Sequence, residues 1–194
     1  RRGKRIGILS TFAKTPIDMR LFSKNILCIV CLMVLVAANA QTTDNHLRDK
    51  ILQIKEMWYI GVAGDSLYWE LVAEGLEVVP AAIALIDDTT ETKAAVPNWN
   101  GNYTVGDIAF SIITDMIEDI PVWEMIQGKK DYLGQNVYFE FVRDNFQNRI
   151  YLKTALSQWF AKNRDSLIWM ESKDYFTNDH IDPPFVKGYY RKRQ

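Results

Sequence analysis

Cysteine is nearly missing from this chain of 194 residues, and the two it has, Cys28 and Cys31, both fall inside one apolar run near the start. They form a CxxC pair, but a redox pair needs a βαβ setting, and this one is simply part of the run. Past that run no thiol remains, which excludes disulfides, thiolate metal sites and a cysteine nucleophile from the rest of the chain. Histidine is equally scarce, with only His46 and His180, and there is no HExxH or paired-ligand spacing for zinc. His180 has Asp179 and Asp182 beside it, a set that reads better as a solvated loop. A Ser-His-Asp triad needs a serine on a strained turn, and neither Ser66 nor Ser157 has that setting. No metal and no cofactor is expected. Long apolar runs are lacking too: Ile26–Val36 falls short of the roughly 20 residues a membrane span requires.

What surrounds that run gives it a meaning. Met19 to Lys24 is a short basic start, and Ala38-Asn39-Ala40 before Gln41 is a small-x-small cleavage site. The expected organisation is upstream read-through over 1–18, a signal peptide over 19–40 and a single helical domain over 41–194. That domain would be exported, periplasmic or secreted, with no stable membrane span once the signal is removed. Cys31 follows Ile29-Val30 rather than small residues, which disfavours a lipid anchor. The first 40 residues carry seven of the 23 Lys and Arg and only one of the 24 acids, so 41–194 has a net charge of about −7. An acidic surface with no basic stripe excludes nucleic acid as a partner. About 154 residues suffice for one packed core.

Hydrophobic spacing in 41–194 is mostly helical. Asp44 is placed to cap a helix carrying Leu47, Ile51, Ile54 and Trp58 at helical intervals. Asp65-Ser66 opens a second helix, and Pro80 suits the first turn of a short buried third one. Asp87–Gly101 reads as a polar loop. Thr104 and Asp107 have capping-box spacing, with Tyr103 and Ile108 placed as the hydrophobic staple, so a helix should run from Val105 to about Glu118. Helical stretches over Val137–Phe146 and Arg149–Asn163 follow. Leu167–Met170 and Tyr175–Thr177 flank a turn and predict a small β-hairpin.

Val79–Asp88 followed by Val105–Ala109 resembles the two antiparallel helices of a HEAT repeat, with a long loop inserted between them. The wider pattern resembles short exported helical proteins of Bacteroidota-type bacteria. It is carried by Gly64–Trp69, the Asn102–Asp107 box, Trp159-Phe160 with Asn163, Leu167–Trp169 and Gly188–Tyr190. That resemblance implies a mainly α fold with no assigned activity.

Two functions are consistent with these features. The first is a non-enzymatic interaction or scaffold domain of the envelope, binding protein or envelope glycan through Trp99, Asn100 and Tyr103 in the inserted loop. Trp99 stands out there because it sits among polar residues with no helical partner spacing. The second is a cell-wall or glycan hydrolase or binding protein. It would use two helix-edge carboxylates among Glu70, Glu74, Asp107 and Asp115, with aromatic side chains stacking on sugar rings. Asp87–Glu91 lacks the alternating acids and central glycine of a calcium loop.

Overall fold

The computed structural model describes residues 45–58, 64–97, 100–118, 120–126, 138–171 and 188–193. Expectations for Asp44, Trp99, His180, Tyr175–Thr177 and the leader over 1–40 lie outside the described residues. Helix α1 spans 45–51 and buries Leu47 and Ile51. Its helical spacing continues in sequence as far as Trp58, yet the helix stops at 51. Short-range bonds from Gln53 N–H to the Lys50 carbonyl and from Ile54 N–H to the Ile51 carbonyl tighten its end. Ile54 is still buried, whereas Trp58 is 37% exposed.

Helix α2, Ser66–Ala73, begins where the Asp65 side chain accepts a bond from Leu67 N–H, and it buries Tyr68, Trp69, Leu71 and Val72. A 3₁₀ turn, Gly75–Glu77, leads into helix α3, Val79–Ala84, with Pro80 in its first turn. The segment after α3 is not the plain polar loop its composition predicts. Strand β1, Glu91–Ala95, pairs antiparallel with β2, Asn102–Thr104. β1 alternates outward and inward, burying Thr92 and Ala94, a period-two pattern hidden among small and polar residues.

Helix α4, Val105–Met116, carries the full capping box. The Thr104 side chain accepts from Asp107 N–H, and Asp107 accepts from Thr104 N–H. α4 sits at the centre of the packing, against α2, α3, β2 and the last strand. Ile108, Ala109, Ile112, Ile113 and Met116 are buried on it. It ends at Met116, short of Glu118, because Ile117 turns extended and bridges to Tyr190.

A short helix α5, Val122–Met125, and a π-helical stretch, Tyr138–Arg143, precede helix α6, Phe146–Asn163. The π-turn and α6 stand where two α-helical stretches are expected. α6 lies against α3, α5 and the π-turn through Arg149, Leu152, Leu156 and Phe160. Strand β3, Leu167–Glu171, pairs antiparallel with β4, Gly188–Lys192, in the register Leu167↔Lys192 to Glu171↔Gly188. The described partner of β3 is therefore 188–192, far along the chain. The architecture is mainly helical with a short C-terminal antiparallel strand pair. Among the described residues, no helix is long and apolar enough to cross a membrane.

Candidate functional site

The inserted hairpin rests on a buried charged network. Its centre is Asp107, 1% exposed, in the first turn of α4. Its carboxylate accepts from Arg149 Nη2 at 2.6 Å and from Tyr138 Oη at 2.9 Å, both on Oδ1. Arg143 Nε lies 3.4 Å from Oδ2. The acid thus serves the capping box and two guanidinium groups together, and negative charge at a helix start is favourable in its own right. Burial, with Asp107 beside it, pushes the Tyr138 phenol well above its usual range.

Arg149 is also 1% exposed. Its Nη1 donates to the Ile86 carbonyl at 3.1 Å and its Nε to the Arg143 carbonyl at 2.7 Å. One side chain therefore ties α6 to the end of α3, the π-turn and α4. Gly106 leaves the room for it. A Cβ there would stand 2.3 Å from the Ile86 carbonyl oxygen and 2.6 Å from Arg149 Nη1. Only glycine lets the two backbones and the guanidinium meet.

The network reaches the hairpin through Arg143, whose Nη2 donates to the Asn102 carbonyl at 3.0 Å. Asn102 Nδ2 donates to the Thr92 carbonyl at 3.0 Å, and Thr92 Oγ1 to the Tyr103 carbonyl at 2.8 Å. Val96 N–H donates to the Gly101 carbonyl at 3.1 Å at the far end. The base of the insertion is held from the other side by Arg48, whose Nε donates to Asp88 Oδ2 at 2.7 Å and whose Nη2 donates to Thr90 Oγ1 at 2.9 Å. Burial pushes the Asp88 carboxyl up, but its bonds to Thr90 and Arg48 outweigh this and hold it below the usual range. Tyr103 is a buried side chain packed edge-on against Phe139, with ring centres 5.9 Å apart. Asn100 is exposed at the tip.

A second cluster lies at the other end of α4. Asp115 Oδ2 accepts hydrogen bonds from Tyr68 Oη and from Trp58 Nε1, the latter at 2.5 Å. Its Oδ1 accepts none among the described residues. Burial pushes this carboxyl up to about 6 despite the two donors. Both donors are neutral, whereas the other acids considered for chemistry are paired or solvated. Glu74 accepts from Lys50 at 2.8 Å, and Glu70 is exposed. Asp107 and Asp115 are eight residues apart on one helix, about 12 Å along its axis.

The sequence reading passed over Arg149, Arg143 and Tyr138. One signal was there: Arg149 shares the helical stripe of Leu152, Leu156 and Phe160, where a charge needs a buried partner. Among the described residues, no three His, Cys, Asp or Glu side chains are grouped to hold a metal ion. No protein-family model, curated protein or solved structure matches the chain.

Proposed function

We propose that this protein is an exported, non-enzymatic interaction or scaffold domain of the bacterial envelope. In this reading the tip of the β1–β2 hairpin, with Trp99 and Asn100, is its contact region. The observation that carries the reading is the anchoring of the insertion. A stretch that polarity alone would leave slack is paired as a hairpin and tied at its base to Arg48, and through Asn102 to Arg143 and the Asp107 network. Binding residues on a loop work best when a fixed scaffold presents them, because less ordering entropy is lost on contact. α3 and α4 pack against each other on either side of the insertion, as the two helices of a HEAT-like pair would. Tyr103 supports the hairpin from beneath.

Affinity capture on tagged 41–194 from an envelope extract tests this reading. Trp99→Ala and Asn100→Ala should lose a partner that the parent chain retains, with unchanged circular dichroism. An identical captured set would remove the hairpin tip from the claim.

One observation favours the second reading, a glycan hydrolase or glycan-binding protein. Asp115 has the raised pKa of a proton donor and stands beside the exposed Trp58. A hydrolase of this kind needs a second carboxyl within about 10 Å, and Asp107 is farther along α4 and already ion-paired. Turnover of peptidoglycan fragments that is abolished by Asp115→Asn would establish this reading over the first.

A further inference from the structure

Asp87, Asp88, Asp107 and Glu118 each lie within 3.4 Å of a Lys or Arg nitrogen. Asp115 differs from all four. Its Oδ2 accepts from the Trp58 indole N–H and the Tyr68 hydroxyl, both neutral, and among the described residues no cation pairs with it. Lys55 and Glu56, just before Trp58, are exposed, and Lys55 bonds Asp65 through its backbone N–H. Arg191 on β4 faces Glu118.

Two donors converging on one oxygen favour the ionised carboxylate. Even with its pKa raised to about 6, the group is mostly ionised at neutral pH. It is therefore a fixed negative charge, only part-buried, whose Oδ1 accepts from no described residue. A desolvated charge of this kind gains more than an exposed one from an added counter-charge.

The surroundings of that charge are aromatic. The Trp58 and Trp69 rings have centres 6.2 Å apart, and Tyr68 meets Trp69 edge-on at 5.1 Å. Tyr68 and Trp69 are buried, whereas Trp58 keeps 37% of its surface in solvent, so the cluster reaches the outside. The Trp58 backbone is held by a closed neck. Asp65 N–H donates to the Glu56 carbonyl at 2.9 Å, and Gly64, at φ +75°, comes so close that a Cβ would lie 2.6 Å from Trp58 N. An indole and a carboxylate presented together select a cation, since the ring face attracts it and the carboxylate neutralises it. The lone pairs on Oδ1 add a demand for an N–H donor, which a primary ammonium meets and a quaternary one does not.

We propose that Asp115 and Trp58 form a binding site for a primary alkylammonium group, which donates to Asp115 Oδ1 and packs against the Trp58 indole. The ligand supplies the counter-ion that this carboxylate lacks within the described fold. The site uses Asp115 ionised and involves no turnover, unlike the proton donor of a glycan hydrolase. It is also separate from the hairpin tip, so its failure leaves that reading untouched.

The test uses the full chain labelled with ¹⁵N-tryptophan at low ionic strength and about pH 7.5, where the carboxyl is ionised. The Trp58 indole signal is assigned by its loss in Trp58→Phe. Butylammonium should shift that signal saturably, while butanol and tetramethylammonium should not. Asp115→Asn keeps an oxygen for both donors and removes the charge, and its affinity for butylammonium should fall by about 10-fold or more. Nα-acetyl-lysine amide binding more tightly than butylammonium would support the site and assign the ammonium to a lysine-bearing chain; equal binding would support it and assign a free amine. No saturable shift, equal affinity in Asp115→Asn, or tetramethylammonium binding as well as butylammonium overturns the proposal. Should Asp115→Asn not fold, the comparison of butylammonium with butanol on the parent chain decides: equal shifts overturn it.

Discussion

Replacing Arg149 with methionine removes the one side chain that joins α6, the π-turn, α4 and the end of α3. The methionine is unbranched and fills much of the same space. Three hydrogen bonds go with the guanidinium, leaving the Ile86 and Arg143 carbonyls without that donor. Asp107 loses its 2.6 Å cation and keeps Arg143 at 3.4 Å and the Tyr138 hydroxyl. Breaking a buried ion pair from one side costs about 3–5 kcal/mol, because the remaining charge stays desolvated. That is a large fraction of the roughly 5–15 kcal/mol by which domains are stable. Urea denaturation followed by circular dichroism should show the midpoint falling by roughly 2 M, given a slope of about 1–3 kcal/mol per M. Lys162→Met, on the exposed side of the same helix, should stay within about 0.5 kcal/mol. Adding Asp107→Leu removes the stranded charge, so the double variant should be less damaged than the two single losses predict, by about 0.5–3 kcal/mol. An Arg149→Met loss below about 1 kcal/mol, or strict additivity, would refute the view that this pair organises the hairpin base.

Three further outcomes follow from the same geometry. Gly106→Ala, which in an exposed helix would add stability, should instead cost roughly 1–3 kcal/mol by pressing on the Ile86 carbonyl and Arg149, and thermal melting reads the sign. Asp115 should make the fold lose about 3 kcal/mol as pH rises from about 4 to past 6, since its folded pKa lies above the unfolded one. Subtracting the Asp115→Asn stability curve isolates that slope, and a parent curve parallel to the variant's would contradict it. Asp88 works in the opposite sense: its lowered pKa gives stability that is lost on acidification, below the ordinary carboxylate range. Arg48→Ala should shrink that acid-side loss when denaturation is followed at low pH.

The parts of this fold visible in the sequence are those set by local chemistry. Thr104 and Asp107 sit three residues apart before an apolar run, and the box forms with both of its bonds. Asp65 and Pro80 mark helix starts for reasons that need no tertiary context. Elements decided by distant partners were not visible. β1 is Glu-Thr-Lys-Ala-Ala, a poor strand by composition, and it forms because β2 pairs with it and the Thr92 hydroxyl donates across to the Tyr103 carbonyl. β3 pairs with 188–192, about 20 residues downstream, where Tyr190 also bridges to Ile117 at the end of α4, and no local spacing announces that pairing. At the site, Asp107 reads from sequence as a cap and nothing more. Its two arginines come from 36 and 42 residues downstream, and no spacing rule connects them. Asp115 was visible as a helix-edge acid, but the burial that raises its pKa and the two neutral donors it accepts from were not.

The measurement that bears most directly on the account is affinity capture of tagged 41–194 from envelope extract beside its Trp99→Ala and Asn100→Ala variants. The account predicts a specific partner, held by the parent and lost from both variants while the fold is retained. Partners held equally by all three would contradict the hairpin tip as the contact region.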